Sequence, residues 1–225
     1  MKTIKLGSQG HEVAALQSRL GITPDGIFGQ ATLSAVRAWQ KEHGLTVDGI
    51  VGPHTWDTLG FASSPRIINE IIIHCSATKE STNVSSASID KSHKARKFSS
   101  YTGPAGTGYI GYHFIIHLDG SVEPCRPVNV IGCHASGYNS NSIGICYIGG
   151  LDPLGNIKDT RTPAQKESLL KLLKQLISQY PSVKRVIGHR DTSPDLNGNG
   201  VIDPYEYIKG CPCFNAIPEY KHLLS

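Results

Sequence analysis

An internal repeat constrains the first 60 residues more than any other feature of this chain. The segment TPDGIFGQATLSAV at 23–36 is echoed by TVDGIVGPHTWDTL at 46–59. Each copy predicts an Asp-Gly turn, an apolar residue, a glycine and then a helix. Gly29 and Gly52 are expected to take a positive φ directly before these helices. Apolar residues spaced three and four apart indicate an earlier helix over 11–20, so the segment predicts a small three-helix module.

The pattern changes after a short segment rich in Ser and Pro, residues 62–66, which is expected to be a linker. Residues 67–225 contain four β-branched or aromatic runs that predict strands: IINEIIIH, GYHFIIHL, SIGICYI and VKRVIG. An amphipathic helix lies between the last two runs, with Thr162 as its N-cap and Gln165 as the capping-box partner. Alternating strands and helices predict an α/β domain with a mixed central sheet flanked by helices, preceded by the three-helix module at 1–61.

Composition limits the class of partner. The 225 residues carry a formal net charge of +4, and the charged residues are scattered along the chain. This pattern fits a diffuse attraction to an anionic cell wall or an ordinary solvated surface, and it does not indicate a nucleic-acid site. No apolar run approaches the roughly 20 residues that cross a bilayer. The first ten residues also lack the apolar region of a signal peptide. We therefore expect synthesis in the cytoplasm without a Sec signal, and no membrane partner.

Cysteine usage does not indicate a disulfide scaffold. The chain has six cysteines, which is few for 225 residues. Metal ligation or burial explains most of them better. Cys125 with Cys133 stays open as a pair in an oxidising setting.

Three residues with metal-binding side chains stand where predicted strands end. His74 closes one apolar run, His189 follows another, and Cys211 opens the segment CPCF. Two neutral imidazoles and one thiolate can hold Zn²⁺ tetrahedrally and leave a fourth position for water, which is the arrangement of a catalytic site. Each residue can equally be structural, because histidine and cysteine are often buried without a metal. The long separation between the first two residues leaves this choice open.

Two sets of motifs resemble known cell-wall proteins. Residues 4–60, which include LGSQGHEVAALQSRLG and the doubled D-G-x-x-G pattern, resemble the peptidoglycan-binding domain often attached to cell-wall hydrolases. A generic helical bundle without a ligand is the alternative. Residues 67–214 contain, in order, IIIHCSAT, GYHFIIHLDG, GCHASGYNSNSIGICYIGG, TPAQ, GHRD and KGCP. This order is similar to that of zinc-dependent N-acetylmuramoyl-L-alanine amidases of the phage-lysozyme and peptidoglycan-recognition-protein type.

The resemblance implies roles for individual residues. It makes His74, His189 and Cys211 the ligands of Zn²⁺, and Tyr112 and Lys209 the catalytic auxiliaries. Zinc can lower the pKa of bound water to about 7 and polarise the carbonyl, while a phenol and a cation can stabilise the developing oxyanion. The structural alternatives are an aromatic packed in the sheet for the tyrosine and a solvated surface charge for the lysine.

A histidine and an asparagine outside this set are candidates for binding substrate. The resemblance places His134 in the substrate groove. Its neighbour Asn141 is expected to hydrogen-bond the sugar or the peptide, or to cap a turn.

The function implied by the resemblance is hydrolysis of the amide between N-acetylmuramic acid and L-alanine in peptidoglycan. The lack of an export signal fits a phage or prophage endolysin that acts on the wall after release. A non-catalytic peptidoglycan-binding or recognition protein is the alternative. Such binders usually lack the cysteine ligand, so Cys211 favours an enzyme. The expected partner is peptidoglycan, and the expected oligomeric state is a monomer.

A calcium-binding pattern lies between two of the implied zinc ligands. Residues 195–206 match every position of an EF-hand loop. The predicted Ca²⁺ ligands are Asp195, Asn197, Asn199, the carbonyl of Val201, Asp203 and Glu206. Pro194 replaces the entering helix, so we expect a lone loop whose Ca²⁺ would fix Lys209 and Cys211 relative to His189. The alternative is an Asn/Gly-rich insertion held by its own hydrogen bonds.

Overall fold

The chain divides into two compact units, Met1–Arg66 and Ile67–Ser225. The computed structural model describes residues 2–60, 66–103 and 106–224. Most of the expected linker, residues 62–65, lies outside the described residues. None of the helices in the described part of the chain has the length and apolar character needed to span a bilayer.

The first unit is a module of three helices. They are α1 His11–Arg19, α2 Gln30–Glu42 and α3 Pro53–Thr58. Their apolar faces enclose one core that contains the buried rings of Phe28 and Trp56. This architecture confirms the helices predicted for the module.

Each sequence repeat is built around a buried glutamine. The side-chain amide of Gln17 donates to Asp25 Oδ1 at 2.7 Å, and its Oε1 accepts from the N–H of the next residue, Gly26, at 2.9 Å. In the second copy Gln40 donates to Asp48 Oδ1 at 2.9 Å and accepts from the following glycine N–H at 2.8 Å. Each glutamine thus ties an Asp-Gly turn to the helix before it.

The positive φ predicted for two glycines is found at two others. Gly26 and Gly49, inside the Asp-Gly turns, have φ of 72° and 75°. Gly29 and Gly52 have φ of −89° and −92° and cap helices α2 and α3 in an extended conformation, so the prediction for this pair is wrong. The reason is that the turn requires the left-handed residue directly after Asp, whereas a residue at the N-cap takes an extended conformation.

The second unit is a mixed α/β domain, as the strand and helix pattern predicts. Its strands are β1 Glu70–Cys75, β2 Thr78–Lys79, β3 Tyr101–Gly103, β4 Gly106–Gly108, β5 Phe114–Ile116, β6 Val122–Pro124, β7 Ser142–Tyr147, β8 Gly150–Leu151 and β9 Arg185–Gly188. Its helices are α4 Ser86–Ala95, α5 Pro163–Gln179 and α6 Ala216–Tyr220. Single 3-10 turns lie at Asn139–Asn141, His189–Thr192, Pro204–Glu206 and Lys221–Leu223.

Five strands form the central sheet in the order β6-β5-β7-β1-β9. Strands β5, β7, β1 and β9 run parallel, and β6 pairs antiparallel to β5. The predicted mixed sheet is therefore confirmed. Strand β1 pairs on both sides, which agrees with the continuous apolar run Ile71–Ile73.

The two faces of the sheet have different neighbours. Ile71 and Ile73 pack in one core with Leu169 and Leu173 of α5. The N-terminus of α5 carries the predicted capping box, which explains where this helix begins. Because side chains alternate along a strand, Ile72 and His74 point to the opposite face. His74 therefore points away from α5, whereas Cys211 packs against the core on the α5 side.

Candidate metal centre

Three ligand side chains meet at the carboxyl ends of β1 and β9. In the described part of the chain, His74, His189 and Cys211 are the one set of three or more His, Cys, Asp or Glu residues whose ligand atoms all lie within 4.8 Å of one another. The Nδ1 atoms of His74 and His189 are 3.2 Å apart. Two nitrogen ligands of a tetrahedral zinc, each ~2.05 Å from the metal, would lie ~3.3 Å apart. The separation of the two imidazoles therefore fits zinc.

Sheet pairing and two backbone bonds assemble this cluster. Ile73 of β1 is the register partner of Gly188 of β9. The residues that follow them, His74 and His189, are therefore brought side by side where the pairing of these strands ends. The N–H of Arg190 donates to the carbonyl of Cys211 at 2.7 Å, which joins the third ligand's segment to the end of β9. A Cβ at Gly188 would lie 2.3 Å from Cδ of the proline that follows Cys211, so this approach requires glycine.

The thiol of Cys211 accepts a hydrogen bond from the backbone of β1. The N–H of Cys75, the residue after His74, lies 3.1 Å from Cys211 Sγ. The hydrogen bond to Cys211 and burial raise the pKa of the Cys75 thiol to about 12, so Cys75 stays protonated beside it. All six cysteines are free thiols, including Cys125 and Cys133.

Burial keeps the two candidate ligand imidazoles neutral. It lowers the pKa of His74 well below its usual value, and the charges of His134, His189 and Lys209 lower it further. Burial, followed by the charge of Lys209, lowers the pKa of His189 to about 4. Both rings are therefore in the form that binds a metal at neutral pH.

The two predicted catalytic auxiliaries line two different depressions of the surface. Tyr112 is half-buried, and its ring centroid is 5.1 Å from that of His74. Burial, with the charges of nearby cysteines, raises the pKa of Tyr112 well above its usual value, so its phenol keeps a proton to donate. Lys209 is exposed and lines a groove of about 530 Å³ together with His189 and His134. Tyr112 lines a smaller neighbouring depression of about 240 Å³.

The two predicted substrate-binding residues have different surroundings. His134 lines the groove, but only 8% of it is exposed, and its Nδ1 lies 3.0 Å from Nε2 of His74. Asn141 is exposed, does not line the groove, and accepts a bond from Ser140 Oγ at 2.7 Å. Asn139 caps the turn instead, since its Oδ1 accepts the N–H groups of His134 and Ala135 at 2.8 and 2.9 Å. Substrate binding by His134 and Asn141 stays a prediction.

Two contacts at the site were not indicated by the sequence. One is the bond between His74 and His134, which lie far apart in the chain. The other is the backbone N–H of Cys75 on Cys211. The sequence does carry a signal for the second contact. Cys75 directly follows the candidate ligand His74, so its backbone N–H is expected to lie near the site.

The carboxylates of the predicted calcium loop accept bonds from the loop itself. Both side-chain oxygens of Asp195 accept glycine N–H groups at 2.7 Å. Glu206 is 3% exposed and accepts the N–H groups of Leu196 and Asp203 at 2.7 Å each. The side-chain amides of the two ligand asparagines, Asn197 and Asn199, donate to Asp203 Oδ2 at 3.1 and 3.0 Å.

The ends of this loop are also joined without a metal. The N–H of Ile208 donates to Ser193 Oγ at 3.0 Å. Hydrogen bonds therefore join the two ends of the 195–206 loop and also link residues within it. This arrangement is the one expected for an Asn/Gly-rich insertion held by its own hydrogen bonds. Calcium binding by the loop stays a prediction.

Two family models match the chain. The model described as N-acetylmuramoyl-L-alanine amidase matches residues 63–206, and that described as a putative peptidoglycan binding domain matches residues 9–59. The first match includes His74, Tyr112 and His189 and ends before Lys209 and Cys211.

Two phage endolysins are aligned over most of their own length, and a Drosophila recognition protein over less than half. The endolysin of Enterobacteria phage T3 is 41% identical over 153 residues, which is 67% of this chain and 85% of that protein. The endolysin of Escherichia phage T7 is 39% identical over 145 residues, 64% of this chain and 80% of that protein. Peptidoglycan-recognition protein SC2 of Drosophila melanogaster is 39% identical over 87 residues, 38% of this chain and 45% of that protein.

A solved structure has the same fold. The N-acetylmuramoyl-L-alanine amidase LysC from Clostridium intestinale is 27% identical and aligns over 72% of this chain and 85% of that chain, with a TM-score of 0.50. This likeness agrees with the match to the amidase family model. The chain therefore belongs to the N-acetylmuramoyl-L-alanine amidase family and carries a peptidoglycan-binding domain ahead of its amidase domain.

Proposed function

We propose that this protein is a zinc-dependent amidase that hydrolyses the bond between N-acetylmuramic acid and L-alanine, acting as a phage or prophage endolysin. The observation that carries the zinc dependence is the cluster of His74, His189 and Cys211, whose ligand atoms lie within 4.8 Å of one another. The endolysin role is supported by the phage T3 relative, of which the alignment covers 85%.

The donor set suits a catalytic zinc. Two neutral imidazoles and one thiolate would hold the ion and leave one tetrahedral position for water or the substrate carbonyl. When bound there, zinc supplies a Lewis acid and lowers the pKa of its water to about 7. The N–H of Cys75 orients the thiolate of Cys211, as partners of metal ligands commonly do.

Tyr112 and Lys209 would stabilise the charge that develops on the scissile carbonyl oxygen. Tyr112 keeps its proton because burial raises its pKa, so its hydroxyl can donate to that oxygen. Interactions of this kind contribute about 3 to 4 kcal/mol to the barrier where they have been measured. Lys209 brings a cation to the groove beside His189, where it can attract the same charge. The proton for the leaving amine would come from one of these two residues.

The first unit would keep the enzyme on its polymer. Residues 9–59 match a putative peptidoglycan binding domain. Linking a binding module to a catalytic domain raises the effective concentration of the substrate at the active site. We propose that the protein reaches the wall after release from the cell that makes it.

A non-catalytic binder is the rival function. The similarity to a Drosophila protein named for peptidoglycan recognition is compatible with binding, but the alignment covers only 45% of that protein. A binder needs no metal site, whereas Cys211 would complete one with two neutral histidines. This cluster favours the enzyme.

Mass spectrometry of muropeptides would test the proposal. Purified cell walls are digested with the protein, with and without a zinc chelator, and the products are compared. We expect stem peptides with a free N-terminal alanine and intact glycan strands, and we expect the chelator to abolish them. Cuts within the glycan or between peptide residues would refute the bond specificity. Unchanged products in the chelator would refute the zinc dependence.

A further inference from the structure

The two ring nitrogens of His74 face different partners. Its Nδ1 lies 3.2 Å from Nδ1 of His189, on the side of the metal cluster. Its Nε2 lies 3.0 Å from Nδ1 of His134, away from that cluster. A histidine can bind a metal through only one nitrogen at a time here, so the other nitrogen has to carry the proton. The partner of Nε2 therefore decides whether Nδ1 is available to the metal.

The contact of His134 with Ser142 indicates where the proton of a neutral His134 lies. The hydroxyl of Ser142 donates its one hydrogen to the carbonyl of Tyr138 at 2.7 Å. Its oxygen can then only accept from Nε2 of His134, which is 3.5 Å away. In a neutral His134 this places the proton on Nε2 and leaves Nδ1 as an acceptor. That acceptor faces Nε2–H of His74, so the chain of bonds selects the tautomer of His74 that presents a lone pair on Nδ1.

The position of the His134 ring is built into the fold. A Cβ at Gly132 would lie 2.4 Å from Cδ2 of the ring, and a Cβ at Gly144 would lie 2.6 Å from it. Any side chain at either glycine would displace the imidazole. The backbone of His134 is held as well, because its N–H donates to Asn139 Oδ1 at 2.8 Å. Space and backbone both fix the ring against His74.

We propose that His134 is the positioning residue of the metal centre, which orients His74 and selects its metal-binding tautomer through the bond between His134 Nδ1 and His74 Nε2. This role rests on the proposed zinc site and differs from the substrate contact predicted from the sequence. Metal-bound histidines usually donate their second nitrogen to a carboxylate, a carbonyl or water. Here a second imidazole, anchored to Ser142, takes that place.

Three substitutions of one residue separate this role from a packing role. In His134→Asn, the amide oxygen stands near the position of Nδ1 and can accept from His74. In His134→Gln, the polar group stands near the position of Nε2 and cannot. In His134→Ala, both groups are lost. We expect His134→Asn to keep zinc affinity within about 3-fold, and the Gln and Ala variants to lose about 10- to 100-fold.

Zinc affinity is measured on the full chain by competition with a chromophoric chelator, and the melting temperature of the metal-free protein is recorded beside it. The visible spectrum of the Co²⁺-loaded protein reports the ligand geometry and is expected to change in the Gln and Ala variants only. His117→Gln is the matched control, because His117 pairs with Glu123 at 2.8 Å and is not part of the cluster.

Each outcome has one meaning. Wild-type zinc affinity in His134→Ala would overturn the positioning role while leaving the zinc site intact. Equal losses in the Asn and Gln variants, with a lower melting temperature of both metal-free proteins, would also overturn it in favour of packing. Failure of the wild-type protein to bind zinc, with Cys211→Ser no different, would refute the proposed zinc site itself and the positioning role with it.

Discussion

The chain carries two sets of metal-binding side chains that are assembled in opposite ways. The three candidate zinc ligands are distant in sequence, and neighbouring parallel strands and a backbone bond bring them together. The six candidate calcium ligands lie within one 12-residue segment, as an EF-hand pattern requires. In that segment the carboxylates of Asp195 and Glu206 accept the N–H groups of their own loop.

This difference shows that the fold can arrange two sets of metal-binding side chains in different ways. In the candidate zinc cluster, the rings of His74 and His189 are neutral, and their facing nitrogens already have the spacing of two ligands of a tetrahedral ion. The fold therefore brings the two imidazoles together without a metal. In the loop, a cation has to compete with hydrogen bonds that satisfy the same oxygens.

Removing the thiol ligand tests the first half of the comparison and should have the largest effect. We expect Cys211→Ser to lower amidase activity on purified walls by more than about 100-fold, because loss of a direct ligand exceeds the effect of losing its neighbours. Zinc content, measured by elemental analysis, should fall in parallel. Cys213→Ser is the control, since Cys213 lies outside the cluster, and it should retain both. Full zinc content in Cys211→Ser would show that this cluster is not the metal centre.

Removing the Tyr112 hydroxyl separates metal binding from chemistry. We expect Tyr112→Phe to lower kcat about 100-fold, because the carbonyl oxygen loses one donor, while zinc content stays unchanged. Steady-state kinetics on a soluble muropeptide measure the change. Tyr109→Phe serves as control. Tyr109 is also half-buried, but its ring faces the ammonium group of Lys94 instead of the cluster. A kcat equal to wild type in Tyr112→Phe would make this residue a packing residue of the sheet.

Calcium addition tests the second half of the comparison. If the 195–206 loop binds Ca²⁺, a concentration 100-fold above Kd stabilises the fold by about 2.7 kcal/mol. In a chain of this size this raises Tm by about 5 to 10 °C. Glu206→Gln, which replaces the carboxylate at the twelfth loop position, should abolish the rise. Equal Tm values in Ca²⁺ and in a calcium-selective chelator, with equal activity, would contradict the predicted calcium loop.

The smallest expected effect concerns how the stability of the fold depends on pH through His93, a buried residue of helix α4. Burial, followed by the charge of Arg96, lowers the pKa of His93 to about 4, and its Nδ1 accepts the N–H of Gly111 at 3.0 Å. The unfolded chain binds a proton at this residue below about pH 6.5 and the native chain does not, so stability falls as pH decreases from 6.5 to about 4.

His93→Asn keeps an acceptor for Gly111 and removes the titrating group. We therefore expect its Tm to fall less than that of the wild type, by a few degrees, between pH 7 and pH 4. The two proteins are compared by calorimetry in the metal-free state, so that the contributions of the other histidines are common to both. Parallel Tm curves would show that His93 does not contribute to acid sensitivity.

The sequence predicted those parts of the fold that depend on neighbouring residues. The start of α5 follows from Thr162 and Gln165, three residues apart, and the capping box is present. The mixed sheet follows from four apolar runs. The placing of positive φ at Gly29 and Gly52 failed because two roles, turn and helix cap, occur within four residues, and both accept glycine.

The sequence indicated which residues form the candidate site, but not all of the contacts between them. Ordered motifs indicated His74, His189 and Cys211, and the structure brings these three together. The contact of His134 with His74 could not be predicted, because it depends on space left by Gly132 and by Gly144 of β7, and on Ser142 at the start of β7. Such packing relations have no local signature in the chain.

The distance of Cys211 from His74 along the chain has a consequence during synthesis. A ribosome makes His74 early and β9 with His189 much later, and Cys211 follows only after the 195–206 excursion. Strand β9 lies at the edge of the sheet, so the older strands can pair before it arrives. The three-ligand cluster is therefore completed only when residue 211 has left the exit tunnel, and a nascent chain without it lacks one ligand of the candidate metal centre.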